Sequence, residues 1–270
     1  MSERRLRWWH DLTRPEVGEV VARDPVLVLP VGAVEQHGPH LPLSTDADIA
    51  RGLLEVASRE VAKDTEVLAL PLLTVGTSDE HGDIPGTLSI PSAVLEETVV
   101  AVGASVARAG AQRLVLANSH GGNRASLDVA ALRLRREWGL LVVKAHWFRF
   151  PRPDGVALPE AEWEHGLPGG AVETAMMLHL RPDRVDADAV ADFRSLGRDL
   201  DETGFLLGPE GAASFAWMAE DLHPSGAVGD ATLADAAMGE RLLAHYGRTL
   251  ARILDDTARF PLERLADPGA

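Results

Sequence analysis

A six-residue apolar run, Val26 to Val31 (VLVLPV), breaks off into a loop that carries Glu35, His37, His40 and Asp46. This pattern reads as a buried strand feeding a polar loop. Glu35 and His37 are separated by one residue, so an extended backbone turns both side chains to the same side. Asp46 follows nine residues after His37, just ahead of a helix. Two carboxylates and an imidazole converging at a strand's exit are what a divalent metal requires. A polar loop with a capping aspartate is the other reading of the same residues.

The strand-to-helix pattern then repeats. Helices are predicted over 46–62, 91–109, 124–138 and 171–180, with a long C-terminal helix over 231–259. Strands are predicted over 66–70, 113–117 and 140–146. Gly110 and Gly139 close two of the helices. Such alternation predicts an α/β domain with a mostly parallel sheet and helices on both faces. In these folds ligands bind beyond the carboxyl ends of the strands. Glu35 and His37 follow the first strand, His120 follows the strand at 113–117, and His146 and Trp147 end the strand at 140–146. Residues far apart in the chain are therefore expected to meet along one sheet edge. The Pro- and Gly-rich stretch 149–170 could mark a domain boundary, but site candidates lie on both sides of it. One domain over 1–270 is the expectation.

Composition limits the partners. With 46% hydrophobic residues a substantial core is available. A net charge of −15 disfavours nucleic acid and anionic membranes and suits a site that collects divalent cations. There is no cysteine, which excludes disulfides, thiolate ligands and a Cys nucleophile. The N-terminal segment is too broken by charge for a secretory leader, and no apolar run has the length of a membrane span, so a cytoplasmic protein is expected.

Three further stretches carry chemistry. His120 sits in Asn118-Ser119-His120-Gly121-Gly122-Asn123, where the glycines permit a sharp turn, and the N–H groups of the next helix could hold an anion. Thr77 to Asp83 lies in a long loop, where Ser78, Glu80 and His81 could bind substrate or support ligands, or simply be solvated. Glu173 opens the apolar helix AVETAMMLHL and could be a ligand or only a complement to the helix dipole. His179, deeper in that helix, is expected to pack.

The strings LPVGAVEQHGPHLPLSTD, SDEH followed by PGTLSI, SHGGN, GGAVETAMML and SGAVGDATLADAAMGERL, in this order, resemble the creatininase family. The resemblance spans roughly residues 26 to 245. It implies a three-layer α/β/α sandwich, a dinuclear metal hydrolase, and a homohexamer to which Trp8 and Trp9 could contribute contacts. By this resemblance Glu35, Asp46 and His120 bind one ion. His37 and Asp46 bind the other, so Asp46 bridges. Creatininase itself completes the second site with a glutamate at the position held here by Gly122; the resemblance then points to Glu173 as the replacement. Ser78, with Gly121, Gly122 and Trp147, is placed at the substrate.

The chain also departs from the family. The usual His-Ala-Gly before the Glu-Thr motif is here Pro168-Gly169-Gly170, so a proton-moving histidine is missing. His165 could take its place or be a surface residue. Ser119 stands for a glycine and Ile84 for a phenylalanine, which implies a reshaped pocket and a substrate other than creatinine.

The expected chemistry is hydrolysis of a non-peptide C–N bond in a small cyclic amide or formamide-like substrate. Two divalent ions, Zn, Mn or Fe, would activate water. His165 or Glu173 would serve as the catalytic proton carrier. A peptidase, lactone or C–C hydrolase on the same centre is one alternative. A metal-binding assembly or sensing protein without turnover is another.

Overall fold

The computed structural model describes residues 6–82 and 84–266. Five parallel strands form the central sheet: β1 (Leu6–Trp8), β2 (Val26–Val31), β3 (Val67–Ala69), β4 (Arg113–Asn118) and β5 (Leu141–His146). Their order is β1-β3-β2-β4-β5, with β2 in the middle and all six of its residues buried.

Alternation along these strands divides the core. Val26 and Val28 of β2 and Val115 of β4 point to one face. There they meet α2 (Thr45–Glu60), α6 (Ala171–Leu180) and the C-terminal α9 (Ala236–Arg259). Leu27, Leu29 and Val31 of β2 and Leu114 and Leu116 of β4 point to the other face, against α3 (Ser92–Arg108) and α4 (Arg124–Trp138). A strand buried on both faces needs a continuous apolar run, which is why VLVLPV lacks polar interruptions. The result is the predicted α/β sandwich. No helix among the described residues is long and apolar enough to cross a membrane.

Several elements were not predicted. β1 is an edge strand inside a charged segment. Trp8, its last residue, and the following Trp9 are half-buried against the two core layers, which leaves only part of each ring for contacts between subunits. α1 (Arg14–Val21) has a capping signature legible in Thr13 and Glu16: the Thr13 N–H and hydroxyl both donate to Glu16 Oε2, at 2.7 and 2.6 Å. The stretch 149–170 contains α5 (Glu160–His165). Short helices α7 (Leu196–Glu202) and α8 (Ala219–Leu222) follow. The C-terminal helix begins at Ala236, five residues later than predicted, because Asp235 caps it by accepting the Met238 N–H at 2.7 Å.

Glu162 on α5 ties this region to α6. Its carboxylate is buried and accepts the Ala171 N–H at 2.6 Å and the Asp230 N–H at 2.7 Å. Glu162→Ala strands both donors, one of them at the start of the helix that carries Glu173. We expect a loss of about 2–4 kcal/mol of unfolding free energy in urea, and a smaller loss for Glu162→Gln. An unchanged urea midpoint in the alanine variant would remove Glu162 from the anchoring of α6.

Candidate metal centre

The carboxyl ends of β2 and β4 and the N-terminal turns of α2 and α6 converge on one buried cluster. After β2 the chain delivers Glu35 and His37, both about 1% exposed. Asp46 stands in the first turn of α2 and Glu173 in the first turn of α6, where free helix N–H groups favour negative charge. His120 follows β4.

His37 Nε2 lies 3.6 Å from Asp46 Oδ1, 3.9 Å from Glu173 Oε2 and 4.0 Å from Glu35 Oε1. His120 Nδ1 lies 3.4 Å from Asp46 Oδ2, and its Nε2 lies 3.1 Å from Glu35 Oε2. Two sets of three potential ligands result, Glu35–Asp46–His120 and His37–Asp46–Glu173, each with its ligand atoms within 4.8 Å of one another. Asp46 belongs to both sets. Glu35 Oε2 and Asp46 Oδ2 are buried and accept no hydrogen bond. Such orphaned oxygens are costly unless a cation meets them.

Backbone carbonyls fix both imidazoles. His37 Nδ1 faces the Glu35 carbonyl at 3.2 Å, and His120 Nε2 faces the Thr77 carbonyl at 2.8 Å. A carbonyl only accepts, so these nitrogens carry hydrogen. That leaves His37 Nε2 and His120 Nδ1 to face Asp46, the arrangement usual for a metal-ligating histidine, while the Nε2–H of His120 also lies beside Glu35.

Charge inside the cluster is closely matched. Burial opposes ionisation of Glu35, but the imidazoles of His120, His81 and His37 overcome it and hold the carboxyl down at about 2. Burial also opposes protonation of His37 and His120. The surrounding carboxylates outweigh it, Asp46, Glu173 and Glu35 for the first and Glu35, Asp46 and Glu80 for the second, and raise both to about 10. Burial pushes Asp46 upward and Glu173 up to about 7. In the protein alone, protons on the imidazoles balance the carboxylates, a role that divalent cations would take over.

Around the cluster is a supporting layer. His81, lowered to about 4 by burial, stays neutral. Its Nδ1 accepts from Gln36 Nε2 at 2.6 Å, so its Nε2–H points at Glu35 Oε1, 3.4 Å away. Asn123 accepts the Thr77 N–H at 2.9 Å and donates to Gly32 O at 3.0 Å, which pins the 74–89 loop to the end of β2. Gly169 has φ +87° and donates its N–H to Glu173 Oε2 at 2.7 Å. A β-carbon there would lie 2.9 Å from Ala227 Cβ, so the turn that holds Glu173 requires glycine.

Above the cluster opens a cavity of about 240 Å³, lined by Glu35, His37, Asp46, His120, Glu173 and Gly121 among others. Some predicted substrate residues lie elsewhere. Trp147 does not line this cavity. It is 3% exposed and packs in the core against Phe148 and Tyr246, because the turn after β5 sends it inward and Phe148 outward. Ser78 is fully buried beneath His120, its Oγ 3.4 Å from Nε2, and supports the imidazole without lining the cavity. Gly122 leaves room behind the site: a side chain there would collide with the Thr77 carbonyl and lie 2.5 Å from Glu80 Oε1.

His165 faces α7, with Nε2 3.2 Å from Asp201 Oδ2, and is absent from the cavity wall. Its place on the outer face of α5 is the reason. Ile84 contacts the Gly226 turn, not the cavity, so it does not reshape the pocket directly. His179 is exposed, not packed. Conversely, Arg124, Phe148, Arg149, Trp163, Glu210 and Trp217 line the cavity without having been predicted. For Phe148 and Arg149 the end of β5 was the available signal; Glu210 and Trp217 sit in a segment without periodicity.

The family model for creatininase, described as creatinine amidohydrolase, matches residues 10–254. The chain belongs to the creatininase family. It is 34% identical over 222 residues to a mycofactocin precursor peptide peptidase of Mycolicibacterium smegmatis, covering 82% of this chain and 80% of that protein. It is 37% identical over 193 residues to a creatinine amidohydrolase of Pseudomonas putida, covering 64% of this chain and 71% of that protein. A solved structure named Creatininase Mn superimposes with a TM-score of 0.73 at 29% identity, over 94% of this chain and 98% of that one. The chain is thus a divergent creatininase-family enzyme, a metal-dependent amidohydrolase, on the α/β fold of its relatives.

Proposed function

We propose that this enzyme hydrolyses a non-peptide C–N bond in a small cyclic amide or formamide-like compound, using two divalent ions held by the buried cluster. The observation that carries the proposal is the pair of ligand triads sharing Asp46, with two orphaned carboxylate oxygens between them. Glu35, His120 and Asp46 would hold one ion; His37, Glu173 and Asp46 would hold the other. Ions so bound supply a hydroxide near neutral pH and polarise a carbonyl. Zn, Mn and Fe(II) all suit a nitrogen-and-oxygen donor set.

The chain's own groups do the rest. Gly121 and the cavity walls orient the substrate carbonyl over the ligand cluster. The leaving nitrogen needs a proton. Glu80 and Glu173 both line the cavity, and burial raises the Glu80 carboxyl, which belongs to neither ligand triad; these positions favour a carboxyl as the donor over His165, which is absent from the wall. His165→Ala is therefore expected to leave metal content and turnover within about twofold of wild type, a factor too small for the loss of a proton donor. A hundredfold loss of turnover at full metal content would restore the histidine to the mechanism.

Creatinine is not the expected substrate. Pro168 lines the cavity where the family places an imidazole. Assays across lactams, formamides, other small amides and lactones should show metal-dependent turnover of at least one compound, with creatinine at least about a hundredfold slower than the best of them. Creatinine as the best substrate would overturn this assignment.

The peptidase relative, 34% identical over most of the chain, favours one second reading: cleavage of a peptide bond on the same centre. Capped dipeptides in the same panel decide between the two.

We further propose that residues 1–270 form a single domain working as a cytoplasmic homohexamer on a small molecule, without nucleic-acid or membrane partners. The family resemblance supports the assembly, and a monomer by light scattering at micromolar concentration would refute it.

A further inference from the structure

The cavity floor is made of carboxylates and imidazoles, and its wall brings in two guanidinium groups, Arg124 and Arg149. In a chain of net charge −15 these two cations stand at the same mouth as Glu164 and Glu210, so this corner is balanced in charge where the floor is acidic. Arg124 is the first residue of α4, directly after the His120 loop. Arg149 ends the turn that follows β5. The ends of β4 and β5 are paired at Asn118 and His146, and the two arginines follow these ends, so both charges reach the same side of the mouth. Among the described residues no carboxylate pairs with the Arg149 guanidinium. Arg124 has one such partner, Glu210 Oε2, at 3.5 Å, and Glu210 is largely exposed. A long contact to a solvent-exposed carboxylate binds weakly and is easily exchanged. Glu164 also lines the mouth and pairs with neither arginine. The remaining wall is apolar and aromatic, with Phe148, Trp163 and Trp217.

We propose that the substrate carries a carboxylate, remote from the bond that is cleaved, and that Arg149 and Arg124 bind it while Glu210 is displaced. This rests on the floor of the cavity being the hydrolytic centre. The planar guanidinium fork matches a carboxylate, and two forks hold it more firmly than one. Glu210 is the protein's own stand-in for that group. The aromatic wall then covers an apolar part of the same molecule. Selectivity arises because a neutral analogue leaves both guanidinium groups without an anion and must compete with Glu210 for space.

The test uses metal-reconstituted protein and two inert probes, N-acetylphenylalanine and its amide, in calorimetric titrations. The acid is expected to bind at least tenfold tighter than the amide. Arg149→Gln and Arg124→Gln should each remove most of that preference, leaving metal content and amide affinity unchanged. Glu210→Gln should tighten acid binding, a change that a purely structural arginine–glutamate contact would not produce. Equal affinity for acid and amide, including no binding of either, overturns the proposal. So does an acid preference that survives both arginine variants but vanishes when the metals are stripped, since the carboxylate then sits on the ions. Metal content and hydrolysis of the small-amide panel are read on the same samples. Failure there counts against the hydrolase reading and leaves the arginine result to stand or fall by itself.

Discussion

Asp46→Ala protein retains almost no bound metal, at either position, while it remains folded. This is the expected result because Asp46 offers Oδ1 to the His37 triad and Oδ2 to the His120 triad. Each ion would lose one of three protein ligands, and the two would also lose the group that bridges them. Losing one ligand of three or four typically lowers affinity by orders of magnitude. Asp46 supplies part of the charge that balances His37 and His120, and without it these imidazoles hold their protons less firmly, so the fold is expected to persist at some cost in stability. Elemental analysis of dialysed protein decides it. Loss of one ion with retention of the other would mean that Asp46 does not bridge, and full retention would remove it from the centre.

Glu173→Gln should separate the two positions. The amide keeps the shape of the side chain, and its oxygen can still accept the Gly169 N–H, so α6 and its turn stay in place. What is lost is the negative charge 3.9 Å from His37 Nε2. We expect occupancy of the His37 position to fall at least tenfold while the His120 position is retained, and turnover to fall about a hundredfold or more. Equal loss from both positions, or wild-type turnover, would contradict the division of ligands between the two triads.

Much of this centre was legible in the sequence because strand exits are where an α/β sheet collects its ligands. VLVLPV can only be a strand buried on both faces, which fixes where Glu35 and His37 emerge. The helices over 92–108 and 124–138 lie within a residue of prediction because Gly110 and Gly139 stop them at positive φ. Glu173 was ambiguous until the structure showed α6 starting beside His37. What was not legible depends on orientation after the regular elements end. Trp147 and Phe148 are adjacent, and only the turn after β5 decides which enters the core and which the cavity. His165 depends on which face α5 turns outward, and the anchor that sets this, Glu162, has partners nine and 68 residues away. The cavity wall from Glu210 and Trp217 comes from short elements without apolar periodicity, where sequence carries least information.

The division of labour in the site follows from burial. Groups at its floor are sealed, locked by backbone carbonyls and matched in charge, which favours a fixed ligand set over an adaptable one. Groups at its mouth are half-exposed and loosely paired. One hydrolytic floor can serve different carbonyl substrates when its walls differ, and in this chain the wall carries Pro168 and two guanidinium groups.

The most direct measurement of the central claim is amine release from the small-amide panel by chelator-stripped protein, followed as a divalent metal is added back and metal per chain is counted. Hydrolysis that is absent without metal and levels off at two ions per chain is the predicted result. A folded protein that binds two ions and hydrolyses nothing at any loading, or one whose activity is complete before any metal is added, would contradict it.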